Sequence, residues 1–373
     1  MNPNDSGTTR GTLPSPMLLV GIGGAGSAIA RGVNRAFGGG MRYLLADTDA
    51  ATGQAGDPFV LIGGDRLSGR GSGGDIVSAR MAAEDSLGGL DEHLDGVRLA
   101  VIVTCLGGGT GGGATYEALR HLAARGLPTL VFATTPFTFE SDQRQRNSRG
   151  IMSMIEDNAS STFFLPLDKL VNGTDNMNEA LRRAVDTVAT GVTLFWRIVE
   201  KPGYIRLDSE RIRHLVASAG RGRFAAVTVR GDNRAAAAIQ TLAQSEILRN
   251  GSAPVSKILC GILAGDDLRL SEVGLVANGV RDAFGKGVVS PEVATVNDEA
   301  VFSGRLSVVV MLFESGKDEA AKQTPSAGRR HKSALAVGPT GKGRFNNAER
   351  TEWHGEDLDV PTYLRQNINL ELL

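Results

Sequence analysis

Cys105-Leu106-Gly107-Gly108-Gly109-Thr110-Gly111-Gly112-Gly113-Ala114 stands between two strongly patterned segments. Before it, Leu99-Ala-Val-Ile-Val-Thr104 reads as a buried strand. After it, Ala114 to Arg125 reads as a helix closed by Gly126. Six of the seven residues from Gly107 to Gly113 are glycine. Glycine lets the main chain approach an anion closely and adopt positive φ. A strand, a glycine loop and a helix N-terminus together aim backbone N–H groups at phosphate oxygens. Thr110 is the one side chain in the loop, and its hydroxyl can donate to a phosphate.

The same grammar recurs upstream. Met17-Leu-Leu-Val-Gly21 has the pattern of a buried parallel strand. It runs into Gly21-Ile-Gly-Gly-Ala-Gly26, a literal GxGxxG, and then into a helical stretch, Ser27 to Ala36. The next strand, Tyr43-Leu-Leu-Ala46, ends in Asp47-Thr48-Asp49. A Rossmann dinucleotide site shares this layout, with an acid for the ribose roughly 20 residues on. Phe59-Val-Leu-Ile62 is a further strand, Gly69-Arg-Gly-Ser-Gly-Gly-Asp75 a second glycine loop, and Ile76 to Leu90 a helix. Downstream, Thr129-Leu-Val-Phe-Ala-Thr134 and Thr162-Phe-Phe-Leu165 are strands. Between them lie Thr135-Pro-Phe-Thr-Phe-Glu140 and a basic segment with Arg144, Arg146 and Arg149. Alternation of β and α predicts an α/β class: a parallel, Rossmann-like sheet covered on both faces, with ligands at the C-terminal strand ends.

Asn176 to Lys201 reads as one long helix stopped by Pro202-Gly203, with an apolar stripe of Leu181, Ala184, Val188, Val192 and Phe195. Beyond it, Phe224–Arg230, Lys257–Leu263, Val293–Val296 and Leu306–Phe313 read as strands. Arg234–Leu248 and Leu270–Phe284 are helices between them. This is a second α+β region with a mixed sheet. The expected organisation is a disordered arm at 1–16, a nucleotide-binding domain at 17–175, a central helix at 176–203 and the α+β domain at 204–314. A disordered linker at 315–350 and a terminal peptide at 351–373 complete it. The linker carries eight Lys/Arg against three Asp/Glu. Gly341-Lys342 there lacks the preceding strand and upstream glycine of a Walker loop. The peptide holds a compact cluster, Asp357-Leu-Asp-Val-Pro-Thr-Tyr-Leu-Arg-Gln366, suited to docking a partner.

The chain of 373 residues has a formal net charge of −1, so no global field points to nucleic acid. Its two cysteines, Cys105 and Cys260, lie in apolar strand contexts and are expected to be reduced. The first residues lack the basic-then-apolar order of a signal peptide, and no stretch is long and apolar enough to span a bilayer. These features point to the cytoplasm, without nucleic acid and without direct membrane insertion. No metal-ligating side chains stand out.

In combination these motifs resemble the tubulin/FtsZ superfamily, and within it bacterial FtsZ. The resemblance runs from about Met17 to Phe313 and resumes at the terminal peptide. Gly107–Gly113 resembles the tubulin signature GGGTGTG, with Gly112 where threonine is usual. Gly21–Gly26 resembles the first phosphate loop, with Ser27 where Asn is frequent. Asp47-Thr-Asp-Ala50 resembles the NTDA loop, Gly69–Asp75 the GAGGNP loop near the γ-phosphate, and Thr135–Glu140 the KPFxFEG segment. Gly231-Asp-Asn-Arg-Ala235 resembles GEDRA and Leu263–Leu270 resembles TAGFDLRL. Asp359-Val-Pro-Thr-Tyr-Leu-Arg365 resembles DIPAFLR, the peptide that binds membrane-tethering and regulatory division proteins.

The resemblance implies GTP or GDP with Mg²⁺ as cofactors. It assigns the nucleotide to Gly23, Gly24, Ala25, Gly26, Ser27, Asp47, Gly73, Gly74, Gly107, Gly108, Gly109, Thr110, Gly111 and Gly112. Glu140 would hold the ribose, Arg144 the base side, and Asp186 the base edge. Leu167 and Leu181 stand where a base-contacting Asn and an aromatic are usual. The catalytic loop NxDxxD is matched by Gly203-Tyr-Ile-Arg206-Leu-Asp208-Ser-Glu210-Arg211. Asp208 takes the place of the first acid and Arg211 that of the second, with Glu210 beside it. A carboxylate there would orient water at the γ-phosphate of a neighbouring subunit, and an arginine could stabilise transition-state charge. The implied protein is a division GTPase that polymerises head to tail at the division site, with hydrolysis slow or altered. Two other readings stay open: an NAD(P)-dependent oxidoreductase built on Gly21–Gly26 and Asp47, and a nucleotide-binding filament scaffold with little turnover.

Overall fold

A computed structural model describes residues 15–314, apart from 172, 174, 175, 202, 218, 219 and 287, together with 352–353 and 356–357. The arm at 1–14, the linker at 315–350 and the peptide Asp359–Arg365 lie outside the described residues. The chain divides into two units, Met1–Gln323 and Thr324–Leu373. In the second, Glu352–Trp353 and Glu356–Asp357 form a two-stranded antiparallel ribbon.

The first unit begins with β1 (Met17–Ile22), α1 (Gly23–Phe37), β2 (Tyr43–Asp47), β3 (Phe59–Leu61), α2 (Gly64–Leu67) and α3 (Ile76–Ser86). It continues through β4 (Leu99–Cys105), α4 (Gly109–Ala124), β5 (Thr129–Thr135), α5 (Asp142–Asn158) and β6 (Ser161–Pro166). These six strands are parallel, in the order β3-β2-β1-β4-β5-β6. That is the doubly wound order, and its direction of winding reverses between β1 and β4. Apolar side chains fill both faces. Leu18, Val20, Ile102 and Val131 pack under α3, α4 and α5, while Leu19, Val101, Val103 and Phe132 pack under α1 and the long helix that follows.

That helix is α6 (Met177–Glu200). Asn176 caps it: its side chain accepts from the Glu179 N–H at 3.0 Å, and the Glu179 carboxylate accepts from the Asn176 N–H at 3.4 Å. Midway, Gly191 lets the helix lie against the Phe224 ring, which passes where a side chain would start. Then come α7 (Ser209–Ala217), β7 (Arg221–Arg230), α8 (Arg234–Gln244), α9 (Glu246–Arg249), β8 (Val255–Ala264) and α10 (Leu270–Phe284). The unit ends with β9 (Pro291–Asn297), α11 (Glu299–Phe302) and β10 (Arg305–Glu314). β10 is antiparallel to β7 and β8, and β8 is parallel to β9, so this half is mixed as the pattern implies.

Several boundaries differ from the sequence reading. The helices expected at Ser27 and Ala114 begin at Gly23 and Gly109, so much of each glycine loop is helix. Close packing is the reason. A side chain at Gly26 would start 2.4 Å from the Val103 carbonyl oxygen, and one at Gly113 2.4 Å from that of Ile76. Only glycine allows those turns to form there. The helix expected over 234–248 breaks at Ser245, whose hydroxyl accepts from the Leu248 N–H and starts α9. The helix from Ile76 tightens into a 3₁₀ turn, Leu87–His93, after Ser86. β7 starts at Arg221 rather than Phe224, because Arg221 and Gly222 pair with Thr162 and Phe163 of β6. Those two pairs join both halves into one ten-stranded sheet.

Candidate functional site

The two strands flanking the winding reversal, β1 and β4, are the ones that run into Gly23–Gly26 and Gly107–Gly113. The C-terminal ends of β1 and β4 therefore place two helix N-termini side by side, the arrangement that favours an anion. The loops touch: a side chain at Gly23 (φ +76°) would meet the Gly111 backbone nitrogen at 3.4 Å. Gly24 and Ala25 are exposed at this edge, and a side chain at Gly108 would meet nothing within 4 Å. Gly73 and Gly74, both at positive φ, face equally open space from the second glycine loop.

Hydroxyls knit the loops together. Thr110 Oγ1 lies 2.6 Å from Thr48 Oγ1 and 3.5 Å from Ser72 Oγ. Asn147, on α5 and nearly buried, donates its Nδ2 to the Gly74 carbonyl at 2.9 Å and the Gly107 carbonyl at 3.5 Å. Gln143 in turn donates to Asn147 Oδ1 at 2.9 Å. The sequence reading missed Asn147, because its partners are backbone carbonyls far off in the chain. Asn147→Ala frees two carbonyls and unties two loops. We expect faster amide hydrogen exchange in both glycine loops, read by mass spectrometry, while the fold is retained. Unchanged exchange would show that Asn147 does not tie the loops together.

Two expected site residues, Asp47 and Ser27, are buried beside the first glycine loop. Asp47 is buried, and its carboxylate is engaged inside the protein: Oδ1 accepts from the N–H of Thr48 at 2.7 Å and of Asp49 at 3.3 Å, and Oδ2 accepts from the Thr52 hydroxyl at 2.6 Å. It shapes the loop after β2, and its Oδ2 lies 3.8 Å from where a side chain at Gly24 would start. Ser27 is fully buried in the second turn of α1, and its hydroxyl has no partner among the described residues.

The loop that Asp47 shapes is braced from outside. Arg31 on α1 donates to Asp57 Oδ2 and to the Thr52 carbonyl. Arg31 beside Asp57 holds that carboxyl below the usual range. The Ser78 hydroxyl and the Val77 N–H do the same for Asp75, the cap of α3. A depressed carboxyl stabilises the fold above its unfolded value, near pH 3.9, and that contribution is lost as pH falls through the folded value. A variant with Asp57→Asn and Asp75→Asn should be less stable near neutrality and lose less between about pH 5 and about pH 2, measured by urea midpoints.

Beside the loops, between the β5–α5 connection and α6, lies a cavity of about 450 Å³. Glu140 and Arg144 line it and pair at 2.7 Å, and Glu140 also accepts from the Phe137 N–H at 2.8 Å. Ala25 and Cys105 reach the same space; both cysteines are free thiols, and burial pushes the Cys260 thiol up to about 12. Asp186 does not line this cavity. It faces another, of about 550 Å³, along the other side of α6. Val185, one residue earlier, takes the inward place, because neighbours on a helix point about 100° apart.

Asp208 ends the loop into α7, and Glu210 and Arg211 lie in the first turn of that helix, far from the glycine loops of their own chain. Glu210 pairs with Arg213 at 2.8 Å and with Arg98 at 3.6 Å. Arg98 immediately precedes β4, whose other end enters the glycine run. β4 spans seven residues. At about 3.3 Å per residue, that puts roughly 23 Å between this loop and the phosphate-type edge. The loop is pinned to β9: Gly203 N–H donates to the Thr295 carbonyl at 2.7 Å, and Ile205 N–H to the Thr295 hydroxyl at 2.9 Å. Asp208 Oδ1 accepts from the Arg211 N–H at 2.7 Å. Its Oδ2 takes no hydrogen bond among the described residues. The Arg211 guanidinium pairs with Glu292, which raises its pKa. Tyr204 and Ile205 on this loop are exposed, as is Phe139 at the cavity.

Residues 16–175 match the family model described as the Tubulin/FtsZ family, GTPase domain. Among solved structures, the described chain is similar to an empty FtsZ dimer from M. jannaschii, with 21% identity over 80% of this chain and 87% of that one and a TM-score of 0.73. It is similar to a GTPγS-bound protofilament of CetZ2 from Haloferax volcanii, with 22% identity over 82% and 95% and a TM-score of 0.67. TubZ of Clostridium botulinum phage c-st matches at 13% identity over 82% and 94%, with a TM-score of 0.58. At these identities the likeness is one of fold.

Proposed function

We propose, from the premise that this chain is a divergent member of the tubulin/FtsZ superfamily with its GTPase domain at residues 16–175, that it is an FtsZ-like GTPase assembling head to tail. In this reading GTP lies across the edge formed by Gly23–Gly26, Gly73–Gly74 and Gly107–Gly112, with Glu140 at the ribose. The observation that carries the reading is the separation of the two half-sites. Asp208 stands at the opposite end of β4 from the glycine loops, so one chain cannot bring its own carboxylate to its own nucleotide. A second copy stacked end to end can. Such a contact joins unlike surfaces and repeats into a filament. The exposed Tyr204 and Ile205 on one face and Phe139 near the other supply apolar area for it.

Among the described residues no group of three or more His, Cys, Asp or Glu is placed to hold a metal ion. Mg²⁺ would therefore arrive with the triphosphate, whose oxygens are its main ligands, and would offset charge there. The protein's part is positioning. Backbone N–H groups of α1 and α4 hold phosphate oxygens, and Asp208 Oδ2 orients a water and accepts its proton. Glu210 and Arg211, already paired to Arg98, Arg213 and Glu292, hold the loop that carries Asp208.

A role in cell division, at the division site in the cytoplasm, extends this reading. It rests on the likeness of Asp359–Arg365 to a partner-binding division peptide, which would dock membrane-tethering and regulatory proteins. No helix among the described residues is long and apolar enough to cross a membrane.

Sedimentation and electron microscopy with GTP, GDP or no nucleotide, with phosphate release followed in the same tube, test the proposal. Filaments with GTP alone, and phosphate release rising more steeply than protein concentration, are expected. Turnover per subunit independent of concentration would overturn hydrolysis across an interface. Filaments with negligible phosphate release would favour the scaffold reading, which the Arg211–Glu292 pair at the second acid position keeps in view.

A further inference from the structure

Arg197 lies in the last turn of α6 and is only 3% exposed. Its guanidinium divides between two other elements. Nη1 donates to Asp298 Oδ2 at 3.2 Å, and Nη2 donates to the Phe37 carbonyl at 3.2 Å. The rings of Phe37 and Phe302 lie against it, with centroids 5.0 and 5.8 Å from its central carbon. A planar fork that bonds two partners and stacks on rings is held in one setting. Lys201 is the other cation here. It is exposed, its amine lies 3.6 Å from Asp298 Oδ2 and 5.5 Å from the centre of the Phe37 ring, and the bond to the α1 backbone is made by Arg197.

Phe37 is the last residue of α1, whose first turn is the glycine loop Gly23–Gly26. A cation at that C-terminal end complements a helix dipole whose positive end faces the glycine edge. Asp298 immediately follows β9. Its N–H donates to the Ala264 carbonyl at 3.0 Å, and its carbonyl accepts from the Phe302 N–H at 2.8 Å. Three residues earlier in the chain is Thr295, which receives the Gly203 and Ile205 N–H groups and donates its own N–H to the Ile205 carbonyl at 2.9 Å. One buried side chain therefore ties the helix of the first glycine loop to the strand that pins the loop leading to Asp208.

Resting on the GTPase reading above, we infer that Arg197 is a positioning residue, which holds the α+β half, and Asp208 with it, in register with the nucleotide-binding half of the same chain. The face that presents Asp208 is built by both halves, since Glu210 meets Arg98 there at 3.6 Å. A neighbouring chain's nucleotide edge fits that face in one relative setting of the halves. Arg197 itself touches neither nucleotide nor water. Its loss acts on turnover between chains and leaves binding by one chain alone.

The experiment compares full-length Arg197→Met with the double variant Arg197→Met/Asp298→Asn. Removing one partner of a buried pair strands a charge, so the single variant should lose urea midpoint and the double variant should regain much of it. Turnover should not follow stability. In the double variant GTP affinity, by titration below the assembly concentration, should stay within about twofold of the parent. Phosphate release per sedimented subunit should fall by about tenfold or more, because small misplacements far from the chemistry cost that much. Normal GTP binding without sedimentation would carry the same meaning, since the ends then no longer fit. Arg197→Lys, a single ammonium that cannot serve both partners, should fall nearly as far. Lys201→Met, which leaves the fork in place, should stay within about twofold of the parent. Turnover that recovers together with stability in the double variant would overturn the inference, as would a loss of GTP affinity as large as the loss of turnover. An unaltered chain that binds no GTP would instead sink the GTPase reading, and this inference with it.

Discussion

Replacing Asp208 by Ala lowers phosphate release per assembled subunit by about a hundredfold or more, the usual contribution of a positioned acid–base group, while nucleotide binding by the single chain is unchanged. Both halves follow from the layout. The carboxylate lies at the far end of β4, so its loss cannot disturb the glycine loops of the same chain. The substitution also removes the acceptor for the Arg211 N–H, a bond at the exposed start of α7 whose loss costs the fold about 1 kcal/mol. A mixing experiment separates this from a local defect. With an excess of Asp208→Ala subunits in the tube, turnover by unaltered subunits falls too, because each altered subunit leaves a neighbour's nucleotide without its water-orienting group. Additive rates in the mixture would show that Asp208 serves its own chain, and equal turnover in the variant would remove it from the chemistry.

The second large effect is steric. Gly111→Ala abolishes nucleotide binding and destabilises the fold by about 3 kcal/mol, because the new methyl would start 1.9 Å from the Cys105 carbonyl oxygen. Backbone lies on both sides of that contact, so neither can step aside cheaply. Gly112→Ala is the control. There the nearest atoms are Ile151 side-chain carbons at 3.4 and 3.5 Å and the end of Ile76 at 3.5 Å, ordinary contact distances. That variant should stay within about 1 kcal/mol of the parent, with glycine's helix penalty relieved. Urea midpoints for the two proteins decide the matter. Similar losses at both positions would mean that the turn tolerates or rejects side chains for some reason other than space.

The glycine run illustrates what sequence could and could not say. Its place after a β-branched apolar strand marked it as the ligand-binding end of a parallel sheet, and the structure puts it at the winding reversal. What each glycine does depended on the neighbours. Gly109, Gly111 and Gly113 lie against backbone of residues 75, 105 and 76, whereas Gly108 and Gly112 have room. No local pattern distinguishes these. Asp186 lines a different cavity from Glu140 and Arg144, which no local pattern shows, because neighbours on a helix point to different walls. The central helix was readable at both ends, because Asn176 with Glu179 and Pro202-Gly203 are local signals. The join between β6 and β7 was not, because it rests on two residues, Arg221 and Gly222, without strand character of their own.

The close approach at Gly191 has a mechanical consequence for α6. Leu181 is ten residues before it and Glu200 nine after, arms of about 15 Å and about 14 Å at 1.5 Å per residue. The first arm ends in the wall of the 450 Å³ cavity, and the second ends where the chain turns into the loop bearing Asp208. One unbroken helix thus runs from the wall of the cavity to the chain segment that leads to Asp208.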